Sequence, residues 1–254
     1  MLSNSWPEKQ YDMRLRANFF RDLSRILLSI TRIPLPKIES FVIDHNGFLC
    51  LTNRPLSLEI QELENEKIPV DIPRDCTYST VDSYVMDMVG VHDSRLRYQP
   101  NGINDLGDYL YQTSALTGMR TVLPSFFKRE FRRGPFVFTL TDLHQSNIFV
   151  DKDWRITSLV DLEWACTRPM EMLRTPTWLT NKACDEIAEG GKEEYDKARM
   201  EFMDTLASEE QKLGAPHHDG KPQLSVVMKQ NWEVGTFWYA LALASPTGLF
   251  RLFY

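Results

Sequence analysis

The sequence predicts an α+β fold, mostly helical with a small β-hairpin insert, and three observations predict it. Helix-type apolar periodicity dominates the chain before Gly134 and after Pro176. A β-type stretch bounded by turn residues interrupts it from Phe136 to Val160. With 43% hydrophobic and 25% charged residues over 254 positions, the chain can bury a substantial core.

The elements follow in order. From Asn18 to Arg32, Phe19, Leu23, Ile26, Leu27 and Ile30 recur at helical spacing, and Pro34 and Pro36 stop the pattern. Two β-type runs, Ile38 to Ile43 and Phe48 to Leu51, are joined through Asp44-His45-Asn46-Gly47, whose Asn-Gly suits a tight hairpin turn. The stretch from Asn53 to Thr77, with Pro55, Pro69, Pro73 and an acidic cluster, lacks sustained periodicity and is expected to be a surface excursion.

Two helices should follow. Tyr78 to Tyr98 carries Val81, Val85, Met88, Val89 and His92 on one face, so His92 belongs to the edge of the core. Asn104 to Leu123 carries Leu106, Leu110 and Leu116. The glycines at Gly102 and Gly107 are followed by Asp108 rather than Lys, which makes them a helix start and not a phosphate-binding loop.

After Gly134-Pro135, strands are expected at Phe136 to Leu140, Ile148 to Val150 and Arg155 to Val160. Beyond Pro176 come helices over Glu193 to Leu213, with a solvated acidic face, and over Leu224 to Leu243, with Trp232, Phe237, Trp238 and Tyr239 in the core. His217 and His218, beside Pro216 and Asp219-Gly220, read as a surface loop.

Composition excludes several function classes. A net charge of −6 lacks the clustered cations that nucleic acid requires, so no nucleic-acid partner is expected. No apolar run of transmembrane length occurs, and the Trp, Pro and charges in Met1 to Lys9 do not make a signal peptide, so no membrane partner and a cytoplasmic location are expected. Cys50, Cys76, Cys166 and Cys184 lie far apart with no Cys-x-x-Cys pair, which predicts reduced thiols.

Chemistry concentrates in Thr141-Asp142-Leu143-His144-Gln145-Ser146-Asn147, with Asp161 after the next hairpin. A γ-phosphoryl group passing from ATP to a hydroxyl needs a carboxylate to orient that hydroxyl and accept its proton. It also needs oxygen ligands for the Mg2+ that neutralises phosphate charge. Asp142 suits the first role, Asn147 and Asp161 the second: the four residues between Asp142 and Asn147 let one loop supply base and ligand, and the hairpin returns Asp161 beside them. A plain polar turn would explain Asp142 and Asn147 but not Asp161 and Glu163.

The run from Phe136 to Asp151, containing Asp142-Leu143-His144-Gln145-Ser146-Asn147-Ile148, followed by Leu159-Val160-Asp161-Leu162-Glu163-Trp164, resembles the aminoglycoside phosphotransferase and choline kinase-like family, especially its fungal branch. The resemblance extends more diffusely from about Phe19 to Phe250. It implies Asp142 as catalytic base, Asn147 and Asp161 as Mg2+ ligands through which ATP is held, and supporting roles near metal or phosphate for His144 and Glu163. It further implies the mostly helical C-terminal lobe of a protein-kinase-like fold, Mg2+ and ATP as cofactors, and a small-molecule hydroxyl acceptor.

The sequence departs from the family's pattern in three ways. Leu140 stands where the family has a His that braces the loop, and an apolar side chain makes no polar brace. Arg168-Pro169-Met170-Glu171 replaces a Gly-Asp-Pro. No Gly precedes Gly47 and only 17 residues precede Asn18, so the phosphate-covering N-terminal lobe is expected to be absent and the sequence to be cut at both ends. The rival readings are a catalytically silent binding module and a fragment of a longer gene product.

Overall fold

Asp12 starts the first long helix, α1, Met13–Thr31, because its carboxylate accepts the backbone N–H groups of Arg14 and Leu15. The cap places the helix start ahead of Asn18, where periodicity alone put it. The computed structural model describes residues 1–214 and 222–245, so His217, His218 and the apolar run 249–254 lie outside the described residues. The fold is α+β, helix-rich with small antiparallel sheets. Among the described residues, no helix is long and apolar enough to cross a membrane.

The predicted hairpin forms from β1, Ser40–Ile43, and β2, Leu49–Asn53, with Gly47 at positive φ in the turn. It is not isolated, however. β3, Phe136–Thr139, pairs with β6, Cys166–Pro169, and β6 also touches β1, giving the sheet order β2-β1-β6-β3. Thr167 knits this junction: its Oγ1 accepts from the Glu39 N–H and donates to the Lys37 carbonyl. β4, Ile148–Val150, and β5, Ile156–Leu159, form a separate two-stranded hairpin.

The stretch 53–77 is not a surface excursion. Ser57 caps a two-turn helix, α2, Leu58–Asn65, and Ile60, Leu63, Ile68, Val70 and Ile72 are buried. Buried Arg54 braces it through Glu64 and the Ile72 carbonyl. Eight helical residues are too few for a period to stand out from the flanking prolines.

Helix α3, Val81–Tyr98, buries the predicted face, and His92 Nε2 lies 2.8 Å from the Leu243 carbonyl oxygen. Helix α4, Leu106–Phe126, starts at Asp105, as the reading of Gly102 and Gly107 expects. Its buried face runs through Ala115, Leu116, Met119 and Leu123, while Leu106 and Leu110 are exposed.

The C-terminal helices complete the core. Phe202 of α5, Lys192–Lys212, meets Phe20 of α1 edge-to-face at 5.5 Å. Arg16 and Arg25 of α1 pair with Glu201 and Glu209, so the acidic face of α5 is partly engaged rather than simply solvated. The aromatic segment 224–243 is two helices, not one: α6, Leu224–Val234, ends at Gly235 and α7, Thr236–Leu243, restarts. Phe237 and Tyr239 are buried, with Trp232 and Trp238 packed against the core. All four cysteines are free thiols.

Candidate functional site

Strand β3 anchors the site, since Phe136 and Val137 are fully buried and hold the strand from which residues 140–147 emerge. The loop is tied by its own backbone. The Asp142 carbonyl accepts from the His144 N–H, and the His144 carbonyl accepts from the Asn147 N–H, at 2.9 Å each. The chain then enters β4, and the pairing Ile148↔Leu159 brings β5 back so that the Val160 N–H donates to the Asn147 carbonyl at 3.0 Å. Asp161 follows at once, with φ +55°. Asp is among the few non-glycine residues enriched in that left-handed region, so the sequence places a tolerant residue where the chain turns off the strand.

Asp142, Asn147 and Asp161 line one small recess, together with Leu140, Val160 and Leu162. The buried Asn147 amide is locked: its Nδ2 donates to both the carbonyl and Oδ2 of Asp142, each at 3.0 Å. These bonds commit the amide nitrogen to Asp142 and leave Oδ1 to accept from Ser146 Oγ at 3.2 Å. Among the described residues, no donor stands within hydrogen-bonding distance of Asp142 Oδ1.

One fixed amide oxygen and one exposed carboxylate form a donor set of the kind Mg2+ takes up alongside phosphates and water. Asn147 and Asp161 therefore fit the ion chemically. Among the described residues, no three His, Cys, Asp or Glu side chains gather into a larger metal-binding cluster.

Two of the residues singled out by sequence stand outside this recess. His144 is exposed, and its Nδ1 lies 2.9 Å from Ser146 Oγ and accepts the Ser146 N–H, so the ring caps the short 3-10 turn Gln145–Asn147. Its ring also meets Trp178 edge-on at 6.2 Å. Glu163 is exposed and does not line the recess.

The brace that Leu140 lacks comes from residues that sequence reading passed over. Thr141 Oγ1 donates to the Trp164 carbonyl, tying the loop to the segment after Asp161. The Trp178 indole N–H donates to the Leu143 carbonyl at 2.8 Å. The Arg168-Pro169-Met170-Glu171 segment is also structural: it completes β6 and continues into a buried 3-10 turn. Thr141 stands directly before Asp142 in the sequence, so its signal is local, whereas nothing local marks Trp178, which joins Leu143 across 35 positions.

A second, larger recess of about 100 Å³ adjoins the first and shares Leu140, Thr141 and Leu143 with it. Arg168, Arg174, Thr177 and Trp178 line its other walls. No protein-family model, curated protein or solved structure matches this chain.

Proposed function

We propose that the chain carries the catalytic half of a small-molecule phosphotransferase, in which a hydroxyl acceptor takes the γ-phosphoryl group of ATP at the Asp142 recess. The observation that carries the reading is the convergence of Asp142, Asn147 and Asp161 on one recess, with the Asn147 amide bonded to Asp142. Asp142 orients the acceptor hydroxyl and receives its proton. The hydroxyl oxygen forms the new bond to phosphorus, the bond from phosphorus to the β–γ bridging oxygen breaks, and ADP leaves with that electron pair. Asn147 Oδ1 and the Asp161 carboxylate would hold Mg2+, whose charge offsets that of the phosphate oxygens. The bonds to Asn147 hold Asp142 in place, so little reorganisation is needed as the acceptor arrives.

Two measurements test this. In the first, Mn2+ stands in for Mg2+ and its paramagnetic broadening of amide resonances is followed; it should centre on residues 142–147 and 160–162 and fade in Asp161→Ala. In the second, phosphoryl transfer from saturating Mg-ATP is measured over a panel of hydroxyl compounds, and Asp142→Ala should lower any transfer by about a hundredfold or more. Broadening unchanged by Asp161→Ala would remove the metal assignment. Transfer equal in parent and Asp142→Ala, or absent from the parent throughout, would replace the catalytic reading with that of a silent binding module. Because the sequence contains no glycine-rich phosphate cover, Mg-ATP affinity should be weak, which titration calorimetry can measure.

A further inference from the structure

We infer that a recess between helix α3 and the chain at 70–72 binds a small compound carrying a primary ammonium group, held by Asp71, Asp87 and Ser94. This recess shares no lining residue with either recess beside the Asp142 loop, so the inference does not depend on phosphoryl transfer.

The site is built on one face of a helix. Asp87, Gly90, Ser94 and Arg97 recur at steps of three and four residues along α3 and so share a face, with Met86 and Asp93 beside them. Val70, Asp71 and Ile72 form the opposite wall. Val70 and Ile72 are buried, and the Ile72 carbonyl accepts from Arg54, which fixes Asp71 between them. Walls held in this way need little ordering when a ligand arrives. The volume of about 250 Å³ lies just below the usual span of drug-sized sites, so the ligand is small.

Gly90 hollows the floor. A Cβ added there would meet no atom within 4 Å. Glycine inside a helix is less stable than alanine or leucine, and here it leaves space open between Asp87 and Ser94.

Ser94 points to a ligand independently of charge. It is 7% exposed and lines the recess, yet among the described residues its hydroxyl makes no hydrogen bond. Buried hydroxyls are ordinarily paired, so this one offers its lone pairs to whatever fills the recess.

Charge selects the class. Three carboxylates line the recess against one guanidinium. Asp93 is paired with Arg120, whereas Asp87 Oδ2 accepts from the neutral Tyr78 hydroxyl at 2.9 Å. Among the described residues, the Asp71 side chain has no ion pair or hydrogen bond. Arg97 pairs with none of the three, and its guanidinium lies over the Tyr98 ring at 5.9 Å. Asp71 and Asp87 are therefore without a cation among the described residues. An ammonium group brings a positive charge and three N–H donors, one for each of Asp71, Asp87 and Ser94, while an anion would meet like charge.

The test uses the full 254-residue chain. The probes are 1,4-diaminobutane and ethanolamine as amines, with 1,4-butanediol and succinate as the uncharged and anionic counterparts. Physiological salt screens diffuse attraction to the acidic chain. Binding is followed by calorimetry and by amide shifts of residues 70–72 and 86–97. At least one amine should bind and move these amides, and the diol and succinate should not. Asp71→Asn and Asp87→Asn should each weaken amine binding about tenfold or more, and Ser94→Ala about two- to tenfold. Gly90→Leu should abolish binding while keeping the thermal midpoint at or above that of the parent, so that the loss cannot come from unfolding. The inference is overturned if neither amine binds, if the diol binds as tightly as the amines, or if amine affinity is unchanged in Gly90→Leu or in both Asp variants. A lowered midpoint in Gly90→Leu would overturn it too, because the space beside Gly90 would then not be open. Amine-induced shifts centred on residues 140–147 would give the amine to the Asp142 loop instead, and so sink this site while leaving the phosphotransfer reading standing.

Discussion

The carboxyl group of Glu171 is buried, 2% exposed, just past the end of the central strand β6. Its Oε1 accepts the Lys128 N–H at 2.9 Å, and burial pushes its pKa up to about 7 against the opposing pull of Lys128. The folded pKa is therefore above the unfolded one. Stability from this group is fully present below the unfolded value of 4.5 and is lost as pH rises through about 7. The loss should be of the order of 3 kcal/mol, because each tenfold change in proton affinity is worth about 1.4 kcal/mol. His92 works in the opposite sense: burial lowers it to about 4, so its contribution is lost as pH falls from 6.5 through 4. Urea unfolding of the parent and Glu171→Gln at pH 5, 6.5 and 8 separates the two, because the difference between the proteins isolates Glu171. We expect the parent to lose stability relative to Glu171→Gln as pH rises from 5 to 8. A constant difference would show that Glu171 does not titrate in this window.

At the scale of elements, several boundaries are set by a single backbone position. Gly235 separates α6 from α7 at φ +96°, and a methyl group there would sit 3.1 Å from Phe126 Cε1. Its N–H closes α6 on the Asn231 carbonyl, a left-handed helix end that glycine adopts without steric cost. Gly235→Ala should therefore lower stability by about 1–2 kcal/mol, read from the urea midpoint at unchanged slope. A change below a few tenths would mean that α6 and α7 can rotate to relieve the contact. The break was hard to see in sequence because aromatic and aliphatic residues continue across it on both sides. The short helix at 58–65 was missed for a related reason, since two turns supply too few positions for a period. The hairpin turn at Asp44 to Gly47 was visible because its signal is local and chemical.

Across the whole molecule, the N-terminal segment joins elements that are distant in sequence. Leu2 and Trp6 are fully buried, and the Trp6 ring stacks on Trp154 at 5.2 Å and meets Trp178 and Phe19 edge-on. Trp154 lies in the turn between β4 and β5, and Trp178 holds the Leu143 carbonyl, so one side chain links helix α1, the hairpin and the Asp142 loop. The Trp154 indole also donates to Ser5 Oγ at 3.1 Å. Trp6→Ala should cost about 3–5 kcal/mol, the usual range for emptying a buried aromatic site. Hydrogen exchange should also speed at the Asn147 and Trp154 amides. A loss confined to global stability, with exchange at those amides changing no more than elsewhere, would show that Trp6 does not brace the loop in particular.

By itself the sequence determined what depends on near neighbours: the α+β character, the long amphipathic helices, the hairpin turn, and the Asp142, Asn147 and Asp161 set. Their spacing of a few residues and one short hairpin leaves the chain few ways to separate them. Tertiary structure alone decided where the residues from further along the chain arrive. Cys166 to Pro169 shows no alternation and ends in proline, yet it becomes an inner strand because β1 and β3 offer it partners on both sides. Trp178 as the loop's brace, Arg168 and Arg174 as walls of the second recess, and Trp6 as the common anchor leave no local mark. Each of these contacts joins residues far apart in the chain, and neither composition nor period records which distant surfaces will meet when the apolar faces are buried together.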